Sequence, residues 1–87
     1  MLELESLIKS GVIEPDVVIV WNRRGLKVSH KATIRADGKI VTEDGAIHRT
    51  PSGAAKHLNN GRSVDGWLAW RILDSQKTLS QFRKLKS

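Results

Sequence analysis

Apolar positions along the chain switch between helical and strand spacing, and the switches mark the elements. Leu4, Leu7 and Ile8 recur at helical spacing, and Glu3 and Glu5 suit the positive end of a short N-terminal helix. Gly11 is placed to take the left-handed position after that helix, folding Val12 back onto Leu7. Pro15 forces an extended approach to Val17-Val18-Ile19-Val20-Trp21, a β-branched run that predicts a strand covered on both faces or nearly so. Asn22-Arg23-Arg24-Gly25 supplies the turn. From Val28 to Arg35 the pattern alternates, with Val28, His30, Ala32 and Ile34 on one face, which predicts a half-buried strand. Asp37-Gly38 and Asp44-Gly45 are hairpin signals, because both residue types tolerate positive φ. They bracket strands at Ile40-Val41 and Ala46–His48.

The second half begins with a helix start. Thr50 reads as its N-cap and Pro51 as its first residue, where a missing N–H costs nothing. Pro51, Ala54, Ala55 and Leu58 share the face toward the sheet, and Gly61 closes the helix. Trp67 to Leu73 reads as a further strand, with Trp67 and Trp70 on opposite faces and one of them in the core. Thr78 and Gln81 have the spacing of a capping box, opening a last helix that carries Leu79, Phe82 and Leu85. The order α-β-β-β-(β)-α-β-α gives the α+β class: a small antiparallel β-meander packed with an N-terminal, a central and a C-terminal helix.

Composition narrows the function classes. The chain has 87 residues, which suits one small domain, and no cysteine, which excludes disulfides and thiolate chemistry. No apolar run reaches the ~18 residues of a membrane span, and the start is acidic where a signal peptide is basic. A cytoplasmic protein with no membrane association is expected. Charge is unevenly placed. Residues 1–44 hold seven basic and seven acidic side chains, and residues 45–87 hold eight basic against Asp65 and Asp74, giving the whole net +6. A basic surface on a small domain points to polyanions, nucleic acid first.

Catalytic chemistry finds little support. Asp16 with Asp37-Gly38-Lys39 matches the acid and acid-x-lysine elements of a metal-dependent nuclease, but Asp37-Gly38 is itself a turn signal that points the acid into solvent. His30 falls on the apolar face of a strand, as a packed, hydrogen-bonded residue. His48 and His57 are on different elements without metal-ligand spacing. No nucleophile elbow or phosphate-cradling glycine loop is present. The expectation is no enzyme, no metal and no cofactor.

Binding features are clearer. Thr50 and Ser52 place hydroxyls and free N–H groups at a helix N-terminus, which holds phosphate. Lys56 and Asn60 lie opposite the Ala/Leu stripe, flanked by His57, with Arg49 before the helix and Arg62 after it. These groups suit a phosphate backbone and base edges. Asn59, beside Asn60, is a further candidate for base contacts. Arg23, Arg24 and Lys27 form a hairpin candidate for backbone contacts. Packing is the first role for the tryptophans, with Trp67 a candidate to stack on a base.

The segments Leu4–Pro15, Ala32–Ile40, Thr50–Ala55 (TPSGAA) and Gly61–Trp70 (GRSVDGWLAW), followed by Leu79 and Arg83, resemble the RAMA domain, restriction enzyme adenine methylase associated. The resemblance spans nearly the whole chain, 1–87, as a single domain of a kind appended to larger proteins. Thr50, Pro51, Ser52, Gly66 and Trp67 match the family's hallmark positions, while Asp65 stands where the family usually has Asn. The resemblance implies a non-catalytic DNA-binding accessory domain of a restriction-modification or related conflict system, with some members sensing methyl-adenine. The implied partners are double-stranded DNA, including methylated DNA, and a methyltransferase or nuclease domain. The alternative is a protein-interaction or dimerisation module that docks a neighbouring enzyme.

Overall fold

The computed structural model of the chain describes residues 3–23, 25 and 27–86. Arg24, one of the hairpin candidates, lies outside the described residues. Helix α1 (Glu3–Lys9) buries Leu4 and Leu7 and ends as its sequence predicts. Gly11 takes φ +83°, and the Val12 N–H donates to the Leu7 carbonyl at 3.1 Å. Strands β1 (Val17–Arg23), β2 (Val28–Ile34), β3 (Ile40–Thr42) and β4 (Ile47–His48) follow. Then come α2 (Pro51–Leu58), α3 (Gly66–Ala69), β5 (Arg71–Ile72) and α4 (Leu79–Lys86). The sheet order is β4-β3-β2-β1-β5, antiparallel throughout.

The register decides which residues share a face. Ile19 pairs with Ala32 and Ile72, and Ile34 with Ile40, and these side chains join Leu4, Leu7, Ala54, Trp70 and Leu79 in one core. The helices therefore cover one face of the sheet. On the other face Val20 is buried but Val18 is 36% exposed, so β1 is covered on both sides at Val20 and only partly at Val18. Gly38, at φ +84° in the β2–β3 turn, packs so closely on α1 that a Cβ would overlap the Glu5 backbone. Asp37 accepts from the Lys39 N–H at 3.1 Å and pairs with Arg35 at 3.0 Å, consistent with a turn residue.

The expected strand over Trp67–Leu73 is corrected. Asp65 caps a helical turn by accepting from the Trp67 N–H at 3.1 Å, and only Arg71–Ile72 pair with β1. The spacing of Trp67 and Trp70 fits a helical turn equally well, and the Asp-Gly start decides in its favour. Trp70 is fully buried, and Trp67 is half-buried against the same core rather than on an opposite face. At α4 the capping box forms reciprocally. The Thr78 N–H donates to Gln81 Oε1 at 2.9 Å, and the Gln81 N–H donates to Thr78 Oγ1 at 3.3 Å.

Candidate nucleic-acid interface

Helix α2 is the centre of the basic region, and its sequence determines which groups it presents. Thr50 is extended, and its hydroxyl oxygen accepts from the Gly53 N–H at 3.0 Å. Pro51, Ala54 and Ala55 are buried, which turns Lys56 and His57 outward. Arg49, Asn60 and Arg62 are exposed as well. Among the described residues, the ion pairs are Lys9–Glu5, Arg35–Asp37 and His57–Asp44, so Lys27, Arg49, Lys56 and Arg62 stand without acidic partners.

The C-terminal end of α2 joins the β1–β2 hairpin. Asn60 takes the left-handed conformation (φ +55°) ahead of Gly61 (φ +83°), and the Gly61 N–H returns to the Lys56 carbonyl at 2.9 Å. Asparagine tolerates that conformation, so the helix ends one residue earlier than the glycine alone implied. Arg23 belongs to β1 rather than to the turn. Its Nη2 donates to Asn59 Oδ1 at 2.7 Å, its Nη1 reaches the Leu58 carbonyl at 3.5 Å, and its guanidinium lies 4.7 Å from the Trp21 ring centroid. A cation at the negative end of a helix is favourably placed. Asn59 is thus occupied: its Oδ1 holds Arg23, and its Nδ2 donates to the Arg62 carbonyl at 3.4 Å.

The hallmark segments form a joint between α2 and α3. Ser52 Oγ accepts from the Gly66 N–H at 3.0 Å, and Trp70 Nε1 donates to the buried Pro51 carbonyl at 3.1 Å. A Cβ on Gly66 would overlap the backbone of Pro51 and Ser52. Only glycine allows this approach.

Sequence spacing alone missed a second cluster. His57 Nε2 lies 2.6 Å from Asp44 Oδ2, and the His48 and His57 rings are 4.9 Å apart. The Thr42 hydroxyl and the Ala46 N–H also donate to Asp44. Hydrogen bonds from His57, Thr42 and Ala46 hold the Asp44 carboxyl well below the usual carboxylate range. Burial, then the neighbouring His57 charge, pushes the His48 imidazole down. The β3–β4 turn residues and a helix are separated by 13 positions at the Asp44–His57 contact, which no spacing motif reveals. No group of three or more His, Cys, Asp or Glu suited to a metal occurs among the described residues. His30 stacks 5.5 Å from Trp21, which in turn lies 5.9 Å from Trp70. The expected hydrogen bond at His30 is absent at Nε2, which is buried without a partner among the described residues.

A comparison with curated proteins found no match. The sequence model of a family described as RAMA, Restriction Enzyme Adenine Methylase Associated, matches residues 1–85. That match covers nearly the whole chain and includes both halves of the α2–α3 joint, and the chain belongs to the RAMA family.

Proposed function

We propose that this domain is a non-catalytic, cytoplasmic accessory module that binds double-stranded DNA for a restriction-modification or related conflict system. The observation that carries the reading is the Arg23 bridge to Leu58 and Asn59. It ties the hairpin to the end of α2, so Lys27 adjoins the edge that bears Lys56, Asn60 and Arg62. These unpaired cations contact the phosphate backbone, with Arg49, Thr50 and Ser52 serving at the other end of α2. Ser52 keeps its hydroxyl proton for a phosphate while its oxygen accepts from Gly66. His57 and Asn60 are the groups offered to base edges, and Trp67 is a stacking surface at the rim. Asn59 and Arg23 act by fixing the edge. The family description associates the domain with adenine methylases, which makes methylated adenine the modification to test.

Phosphate contacts release counterions, so affinity falls linearly with salt on a logarithmic plot. Contacts from Lys27, Arg49, Lys56 and Arg62 together correspond to a slope of about −3.6. Lys56→Ala with Arg62→Ala should reduce it by about 1.8. Fluorescence anisotropy on one duplex, from low to moderate salt, measures both. Undetectable or salt-insensitive binding overturns the DNA reading. Equal affinity for methylated and unmethylated duplexes removes only the modification reading.

A further inference from the structure

The hairpin end of the sheet carries hydrogen-bond donors on the face away from the helices. Val20 is the register partner of Lys31 on one side and Arg71 on the other, and Asn22 is the partner of Ser29. Val20 and Asn22 are two residues apart on β1 and so share a face, which places Arg71 diagonally beside Asn22. Two adjoining cavities, of about 340 and 350 Å³, open here and share Asn22. Arg71 and Gln76 line the first, and Arg23, Lys27 and Ser29 line the second. Among the described residues no carboxylate lines either one, whereas the other grooves hold Glu43 or Glu14 and Asp74. The donors are fixed on one side and free on the other. Arg71 Nη1 donates to the Gln76 carbonyl at 2.8 Å, and its Nη2 and Nε have no partner among the described residues. Asn22 Oδ1 accepts from Ser29 Oγ at 2.7 Å, which orients the amide and leaves Nδ2 without a partner among the described residues. Lys27 is exposed and has no acidic partner among them either.

We propose that the two cavities form a phosphate-binding site, with Arg71 and the Asn22 amide on one phosphate group and Lys27 on the next. An anchored guanidinium keeps its remaining N–H groups in the planar fork that matches phosphate oxygens. Asn22 Nδ2 adds a neutral donor between two cations. With no carboxylate among the described residues lining the cavities, the field of those cations acts on an incoming anion unopposed. Lys31 differs. Its backbone N–H donates to Glu43 Oε1 at 2.7 Å, so it neighbours a carboxylate and stands outside the site. Arg23 joins the site to the α2 edge, because it lines the second cavity and donates to Asn59. The shared chemistry is a pair of adjacent phosphate groups, from a nucleic-acid strand or from a free phosphorylated compound. With a strand as the source, the proposal rests on the DNA reading above and extends the contact surface round the hairpin.

Inorganic pyrophosphate tests the site without nucleic acid, and so separately from the DNA reading. In a proton–nitrogen NMR titration the Asn22 side-chain amide and the Arg71 Nε–H signals should shift and saturate. Arg71→Gln and Asn22→Asp should each weaken pyrophosphate binding about tenfold or more. Lys9→Gln, which removes the same charge from α1, should leave it unchanged. Asn22→Asp keeps an oxygen for the Ser29 hydroxyl and loses only the donor, so it carries the test even if Arg71→Gln, which gives up the Gln76 bond, does not fold. Duplex DNA in the anisotropy assay identifies the source. A strand in the site predicts a salt slope reduced by about 0.9 in Arg71→Gln, and a free compound predicts a slope unchanged while pyrophosphate binding falls. Undetectable duplex binding beside saturable pyrophosphate binding overturns the DNA reading and supports the site with a free compound. Shifts that grow without saturating, or pyrophosphate affinity undiminished in Arg71→Gln and Asn22→Asp, overturn the proposal.

Discussion

Gly66→Ala separates local helix preference from packing, because the two predict opposite signs. Gly66 opens α3, and alanine in a helix is favoured over glycine by about 1 kcal/mol. Packing acts the other way. The added methyl would meet backbone atoms of Pro51 and Ser52 closer than 3.0 Å, a separation that real Cβ atoms essentially never show. Backbone does not rotate aside, so α3 must move away from α2. That movement stretches the bond from the Gly66 N–H to Ser52 Oγ, worth about 1 kcal/mol. It also breaks the buried bond from Trp70 Nε1 to the Pro51 carbonyl, leaving an unsatisfied donor at about 1–3 kcal/mol. Trp70, fully buried, loses packing as well. With about 1 kcal/mol for that packing the loss is about 3–5 kcal/mol, or about 2–4 once alanine's helix preference is set against it, out of a total of ~4–13 kcal/mol for a chain of this length. A domain this small moves by about 4–8 °C per kcal/mol. The melting temperature, followed by far-ultraviolet circular dichroism, should therefore fall by at least about 8 °C. A Gly66→Ala protein melting at or above the parent would refute the account of the joint. Ser52→Ala, which removes one bond without a clash, should cost only about 1–2 kcal/mol.

Three further outcomes follow from particular contacts. Asp65→Asn should change stability by less than about 0.5 kcal/mol in urea denaturation, since both residues cap equally well, while Asp65→Ala should lose about 1 kcal/mol. Arg23→Ala should cost about 1–2 kcal/mol and weaken DNA binding in the anisotropy assay. Arg23→Lys should restore little, because an ammonium has no planar fork for Asn59 and Trp21. His48 is held neutral by burial, so the unfolded chain takes up a proton first as pH falls through the ordinary imidazole range. Its contribution is present above the ordinary imidazole range and is lost as pH falls through and below it. Melting curves across that window should show a smaller acid-side drop in His48→Asn than in the parent. A larger drop in the variant would refute the burial argument.

Features whose partners lie within four residues were legible in the sequence. The Thr50 cap, the Thr78–Gln81 box and the two Asp-Gly turns each close through local hydrogen bonds, and residue type with spacing suffices to predict them. The resemblance found the family without its geometry. Contacts between distant positions were not legible. Arg23 meets Asn59 across 36 positions, His57 meets Asp44 across 13, and Ser52 meets Gly66 across 14. Trp67–Leu73 failed for a different reason. Two tryptophans three apart satisfy a strand and a single helical turn alike, and the choice depended on reading Asp65 as a cap. The exposure of Val18 escaped because a β-branched run reads as buried at every position, whereas on that face of β1 Val20 is buried and Val18 is not.

The hallmark residues and the proposed ligand contacts are largely different atoms, and this divides the molecule's work. Pro51 uses its carbonyl for Trp70, Gly66 uses its missing side chain to approach α2, and Ser52 uses its oxygen for Gly66. Each of these fixes the angle between α2 and α3 before any ligand arrives. That angle buries Ala54 and Ala55, and burying them is what turns Lys56 and His57 outward. Rigid presentation lowers the ordering cost of binding, so damage to the joint should weaken affinity even where no ligand contact is removed. Loss at the joint should appear in both melting and binding, whereas loss at Lys56 and Arg62 should appear in binding and its salt slope alone. If Lys56→Ala and Arg62→Ala lowered the melting temperature as far as Gly66→Ala, the division between presenting and presented residues would fail.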